Sequence, residues 1–242
     1  MDKEIFKLFP QKAFKLLSIK ESIKITGLVS SSLLNKQSYN DQFQKRLSRW
    51  KLKDITLQSE NLPFNNRALT KEAGEKILSI YFSQFFENDL AIHLDYRHLF
   101  VLTEQSLMWK PSKLHYKFSN SFIDGIKDLY QGFYLDNNAQ FELGLKTMGI
   151  LKKGLEETEK NEVIELFTKY FGQGKVGTIH FSLKELQNSF NEIFSFFIKK
   201  DIPLNPEFAV LGLALVTLYS VLQEIPEALD VKSSFLSVSG VI

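Results

Sequence analysis

Cysteine is absent from all 242 residues. That excludes a disulfide framework, a thiolate zinc site and a cysteine nucleophile, and it fits a reducing compartment. Proline is scarce, at 6 residues, so few rigid breaks interrupt the periodic segments. A surplus of charge is also missing: 30 Lys and Arg stand against 28 Asp and Glu, a net charge of +2. The lysines are scattered rather than interleaved with aromatics in one stripe, so nucleic acid is not expected as a partner. No apolar run reaches the roughly 20 residues that a membrane span needs. The longest, Phe208 to Leu222, is bounded by Pro203, Pro206, Glu224 and Pro226 and reads as a buried helix. The opening residues, MDKEIFKLFPQKAF, lack the layout of a signal peptide, and a cytoplasmic location is expected.

What the chain has in quantity is phenylalanine, 22 residues within a hydrophobic content of 44%. Together with an ordinary 24% of charged residues, this supports an ample core and argues against global disorder. Residues 1–50 carry two helix-like patterns, with Phe6, Phe14, Leu17 and Ile23 as one apolar stripe, and end in the basic Lys45-Arg46-Leu47-Ser48-Arg49. They are read as a helical N-terminal extension. Its lysines would suit either solvent or a peripheral contact with a membrane headgroup layer.

Residues 51–242 read as one helical domain. Lys51 to Gln58 alternates like a strand, and a connector with Pro63 follows. Thr70 caps a helix with Ala73, Ile77, Ile80, Tyr81 and Phe85 on one face. After a central loop and hairpin, Ser119 or Asn120 caps a helix carrying Phe122, Ile126, Leu129 and Phe133. The next helix stops at Gly149. A further helix runs from Thr158 to Phe171-Gly172-Gln173-Gly174-Lys175. This GQGK lacks the Ser or Thr and the strand-to-helix setting of a phosphate loop, so a glycine helix stop is expected. Ser182 to Glu185 forms a capping box before Leu186, Phe190, Phe194 and Phe197. Asn205-Pro206 opens the apolar helix. Residues 230–242 show no strong pattern.

The central stretch, Leu90 to Lys113, holds His93, Asp95 and His98, then two alternating runs joined by Thr103-Glu104-Gln105. A polar loop held by a helical scaffold is where binding or catalytic groups usually lie. His93, Asp95 and His98 could supply nitrogen and oxygen ligands to a metal, but no helix phases them, and no metal is expected. His115, Tyr116 and His180 read as surface or loop groups. Eight phenylalanines, Phe82, Phe85, Phe86, Phe190, Phe194, Phe196, Phe197 and Phe208, read either as plain core or as the lining of an apolar pocket.

The order of strand, Pro-containing connector, helix, His-x-Asp loop, hairpin and helical tail resembles the C-terminal lobe of the UbiB/AarF (ADCK-type) atypical kinase-like family. In that family a His-Ala-Asp-Pro-His-Pro-Gly-Asn loop precedes a strand pair and then Asp-Phe-Gly. Here FFENDLAIHLDYRHLFVL is similar to the loop and first strand, with His93 and Asp95 on its His-x-Asp. FIDGIKDLYQGFYLDNNAQFELGLKTMGIL and Leu186 to Leu229 are similar to the helical continuation. The resemblance covers roughly residues 50–230 and implies a mainly α (α+β) fold: a kinase-like C-lobe with a small β-hairpin and a missing or reduced N-lobe. His98 stands where the metal-binding Asn belongs and Pro111 where the Asp of Asp-Phe-Gly belongs. No Gly-rich loop or phosphate lysine is evident.

Without those groups the electrostatic basis of phosphoryl transfer is gone. ATP and Mg²⁺ are therefore not expected as cofactors, and Asp95 is read as a vestigial catalytic residue. The resemblance implies a non-catalytic, pseudokinase-like binding or regulatory protein with a lipid or protein partner, linked to isoprenoid lipid or quinone metabolism. The alternatives are a divergent ATP-dependent kinase or ATPase using Asp95, and a helical lipid-binding protein.

Overall fold

The computed structural model describes residues 36–50, 52, 54–57, 68–93, 99–104, 106–112, 115–152, 154–172 and 177–240. The helical patterns expected before residue 36, the connector at Pro63 and the Gln173-Gly174-Lys175 turn lie outside them. Among the described residues the fold is mainly helical, with three small sheets. In chain order the elements are α1 (Lys36–Arg49), β1 (Ile55–Leu57), α2 (Lys71–Phe86), β2 (Leu90–Ala91), β3 (Phe100–Leu102), β4 (Leu107–Trp109) and β5 (His115–Tyr116). They continue with α3 (Asn120–Tyr134), α4 (Asn138–Thr147), α5 (Glu157–Gly172), β6 (Thr178–Ile179), α6 (Leu183–Lys199), α7 (Glu207–Leu222), β7 (Leu229–Asp230) and α8 (Val231–Ser239).

Local chemistry sets most helix starts where the sequence predicts them. Thr70 accepts from Ala73 N at 3.3 Å, Ser119 from Phe122 N at 3.4 Å, and Ser182 from Glu185 N at 3.3 Å. Gly149, just past α4, takes the left-handed φ of 72° that a helix stop favours. At α7 the cap shifts by one residue. Pro206 occupies the cap position, while the Asn205 side chain accepts from Glu207 N at 3.0 Å and donates to Met148 O at 2.8 Å. Asn205 thus ties the start of α7 to the end of α4.

The expected hairpin is β3–β4, antiparallel with Val101 opposite Met108. Thr103 N donates to Ser106 O and Thr103 Oγ1 accepts from Ser106 N, both at 3.0 Å, which closes its turn. β1 joins the other edge of β4 in parallel, giving the order β1-β4-β3. Behind this sheet Trp109, fully buried, meets Phe43 of α1 edge-on at 5.1 Å and stacks over Phe100 at 6.2 Å. Phe43 and Leu47 bring α1 into the same core as the rest of the fold.

Two helices organise the remainder. α2 is buried along nearly its whole length, and α7 is apolar on all sides, as a helix enclosed by protein should be. α3 and α4 pack at very short range because glycines leave room for backbone. A methyl group at Gly132 would lie 2.2 Å from Phe141 N, and one at Gly144 would lie 2.5 Å from Leu129 N. The segment after Leu229, unpatterned in sequence, forms β7 and α8. Asp230 caps α8 by accepting from Ser233 N at 2.8 Å, and Phe235 buries against Phe82 at 5.3 Å. So short a helix shows too little periodicity to read, and packing rather than propensity holds it.

Candidate functional site: a polar loop support and an aromatic cavity

The chain around the His93 loop is pinned by side chains that satisfy main-chain groups. Gln84 of α2 is buried. Its Oε1 accepts from Ala91 N at 2.8 Å and its Nε2 donates to Ile80 O at 3.3 Å. β2 pairs antiparallel with β5, Leu90 opposite Tyr116. Asn88, at a left-handed φ of 50°, continues that ladder with its side chain: Oδ1 accepts from Phe118 N at 2.9 Å and Nδ2 donates to Phe118 O at 3.0 Å. From β5 the chain reaches α3, where Ser119 N and Oγ donate to Glu207 of α7 at 2.7 and 2.5 Å.

Between these anchors lies an ionic cluster that the sequence did not reveal. Asp89 Oδ1 receives His115 Nδ1 at 2.8 Å, and Arg46 of α1 donates to Asp89 Oδ2. The Arg46 guanidinium also sits over the Phe43 ring at 4.9 Å. Burial tends to raise the pKa of Asp89, but the His115 hydrogen bond and the Arg46 charge outweigh it and hold the carboxyl below its ordinary value. His115 is therefore no simple surface group: its side chain is 21% exposed and engaged with Asp89. Tyr116 is likewise partly buried and donates to Glu207 at 3.3 Å. The one available signal was Asp89 itself, a carboxylate set between Phe85-Phe86 and the apolar Leu90-Ala91-Ile92. His180 is exposed just beyond β6, as expected.

Of the three loop residues singled out in the sequence, Asp95 and His98 lie outside the described residues. His93 sits against α7, where Thr217 Oγ1 donates to its main-chain oxygen at 3.4 Å. Burial, with a smaller effect from the His115 charge, pushes the His93 imidazole down to about 3, so it is neutral at physiological pH. Among the described residues no group of three His, Asp or Glu side chains is placed to hold a metal ion. Beside the cluster, Arg46 Nη1, Trp50 Nε1 and Trp109 Nε1 are buried without a hydrogen-bond partner, so this face is not free of cost.

The adjoining face of α7 is different. A cavity of about 350 Å³ lies among α2, α3, α5, α6 and α7. Leu211 and Leu215 of α7, Phe190 and Ile193 of α6, and Phe82 of α2 supply apolar walls. Of the eight phenylalanines weighed in the sequence, Phe82, Phe190 and Phe208 line this space. Phe85, Phe194 and Phe197 are buried core, and Phe86 and Phe196 pack partly exposed against it.

Four tyrosines border the cavity from the helices around α7: Tyr81 of α2, Tyr130 and Tyr134 of α3, and Tyr219 of α7 itself, with the further polar residues Tyr170, Glu185, Asn188 and Ser189 on the α5 and α6 side. Tyr130 and Tyr134 stack at 6.1 Å, and the Tyr81 and Tyr130 hydroxyls are 3.4 Å apart. Burial raises the pKa of all four, Tyr130 to about 12 and Tyr81 and Tyr134 well above the ordinary value, so each stays a neutral phenol. Charge appears at the mouth between α5 and α6. There Lys169 donates to both Glu192 oxygens at 2.9 Å and Tyr170 donates to Glu192. No helix of the described residues is long and apolar enough to cross a membrane. Comparison of the chain with protein-family models, with curated proteins and with solved structures gives no match.

Proposed function

We propose that this is a non-catalytic binding protein whose aromatic cavity holds an apolar molecule. The observation that carries the reading is the cavity itself. A half-open space of about 350 Å³ walled largely by Leu, Ile and Phe leaves apolar surface in contact with water, which an apolar guest would cover. Its size and its few convergent polar groups fit a small-molecule site.

The finer reading is a pseudokinase-like relative of the UbiB/AarF family serving isoprenoid lipid or quinone metabolism. It is supported by the order β1, α2, β3–β4 hairpin and the helices from α3 onward, which agrees with the strand, helix, hairpin and helical tail that the resemblance implies. The non-catalytic half of the proposal rests on Pro111 standing where a metal-binding aspartate would be needed, since proline has no ligand to offer. Lipid contact at a membrane surface and a protein partner belong to the same proposal.

Organic extraction and mass spectrometry of purified protein test the first half. A stoichiometric apolar compound is expected, and its loss in a folded Leu215→Trp variant places it in the cavity. A thermal-shift titration with ATP, with and without Mg²⁺, tests the second. No shift is expected, and Asp95→Asn should leave ligand content unchanged. A saturable, Mg²⁺-dependent rise of several degrees would instead favour a divergent kinase or ATPase using Asp95.

A further inference from the structure

Building on the cavity reading, we infer that the ligand carries a neutral carbonyl-type oxygen, placed among the tyrosine hydroxyls, on an apolar body of about a dozen non-hydrogen atoms. The size follows from volume. A cavity of about 350 Å³ accommodates roughly twelve atoms at the ~30 Å³ that a water molecule occupies in the liquid.

The head group follows from the inventory of donors. Tyr134 is only 5% exposed, lines the cavity, and its hydroxyl has no hydrogen-bond partner among the described residues. The same holds for the Tyr219 hydroxyl, whose ring is fixed edge-on to Phe181 at 4.7 Å. Both hydroxyls are accessible rather than sealed in, but a guest that filled the cavity without offering an acceptor would bury them unpaired, which is costly. A carbonyl oxygen has two lone pairs and can accept from either hydroxyl.

An ionised head fits poorly. The charged residues of the lining are Lys169, Glu185 and Glu192, all exposed at the mouth, and Lys169 is already paired with Glu192. A carboxylate drawn in among the tyrosines would lose its hydration without meeting a free cation, and an ammonium would meet carboxylates only at the exposed Glu185 and Glu192.

Three probes of similar size separate these cases: butyrophenone, butylbenzene and 4-phenylbutyrate, each titrated by calorimetry into the full-length protein freed of bound ligand. The ketone should bind about fivefold more tightly than the hydrocarbon, as one net hydrogen bond allows, and 4-phenylbutyrate should bind most weakly. In the Tyr134→Phe/Tyr219→Phe variant, which keeps the shape, the ketone should lose its advantage while butylbenzene binds as before. Equal affinity for ketone and hydrocarbon in the wild type, or tighter binding of the carboxylate, overturns the head-group inference and leaves the cavity reading standing. Failure of every probe to bind folded protein overturns both. Because the wild-type ranking is read without any mutation, misfolding of the double variant cannot hide the answer.

Discussion

On one face of α7, Thr217 meets the His93 main chain beside a void of about 40 Å³, while on the other Leu211, Leu215 and Tyr219 border a cavity of about 350 Å³. The first face is held by directed bonds: Gln84 to Ala91, Asn88 to Phe118, Ser119 to Glu207, and the Arg46–Asp89–His115 cluster. The second is held mostly by packed aromatic rings, with directed bonds between Tyr81 and Tyr130 and at Glu192, and it leaves the Tyr134 and Tyr219 hydroxyls unpaired. Directed bonds fix a backbone in place, as a loop support requires. Apolar walls with spare donors leave room for a guest.

The strongest test of the polar face is Asp89→Ala. It would leave the largely buried Arg46 guanidinium with only the longer contact to Glu87 at 3.9 Å, and a loss of about 3–4 kcal/mol in urea unfolding is expected. A loss under about 1 kcal/mol would mean that the cluster does not hold α1 and β5 together. On the cavity face, Gly144→Ala pushes α4 against the backbone of α3, which carries Tyr130 and Tyr134. About 3 kcal/mol of destabilisation is expected, because the neighbour at 2.5 Å is main chain and cannot swing aside.

Acid should distinguish the faces more gently. The folded-state value of His93, about 3, lies below the unfolded value near 6.5, so the unfolded chain binds a proton that the folded chain refuses. Stability is therefore intact above pH 6.5 and falls as pH drops from 6.5 toward 3. Between pH 7 and pH 5 the loss should be about 1–2 kcal/mol, reduced by the partial exposure of the ring, and His93→Gln should flatten it. Asp89, whose pKa is lowered in the fold, keeps its contribution at neutral pH and loses it only in more acidic solution, as pH falls through its folded value. The tyrosines of the other face do not titrate in this range, so the cavity should keep its ligand preference. The smallest effect is expected from Leu215→Phe, which fills part of the cavity. It should raise stability by up to about 1 kcal/mol while lowering affinity for butylbenzene at least fivefold. Unchanged binding would place the guest elsewhere.

Most helices were legible in the sequence because their caps and apolar periods are local: Thr70, Ser119 and Ser182 each bond to a main-chain N–H three residues on. The β3–β4 hairpin was legible for the same reason, since alternation and a short polar turn lie within ten residues. What escaped were features whose partners are distant. Asn205 bonds to Met148, Asp89 joins Arg46 to His115, and α8 is held by Phe82 and Tyr134 of other helices. The phenylalanines illustrate the limit well. Phe190 and Phe194 share one face of α6 at helical spacing, and nothing local tells which borders empty space.

By itself, then, the sequence determined a helical fold free of disulfides, the sites of most helix caps, and an apolar α7 that must lie enclosed. Those follow from covalent chemistry and from hydrogen bonds between near neighbours. Only the tertiary structure decided that His115 is paired rather than exposed and that five tyrosines from four helices meet around one cavity. Such groupings depend on how helices far apart in the chain cross, and that is set by packing rather than by any single segment.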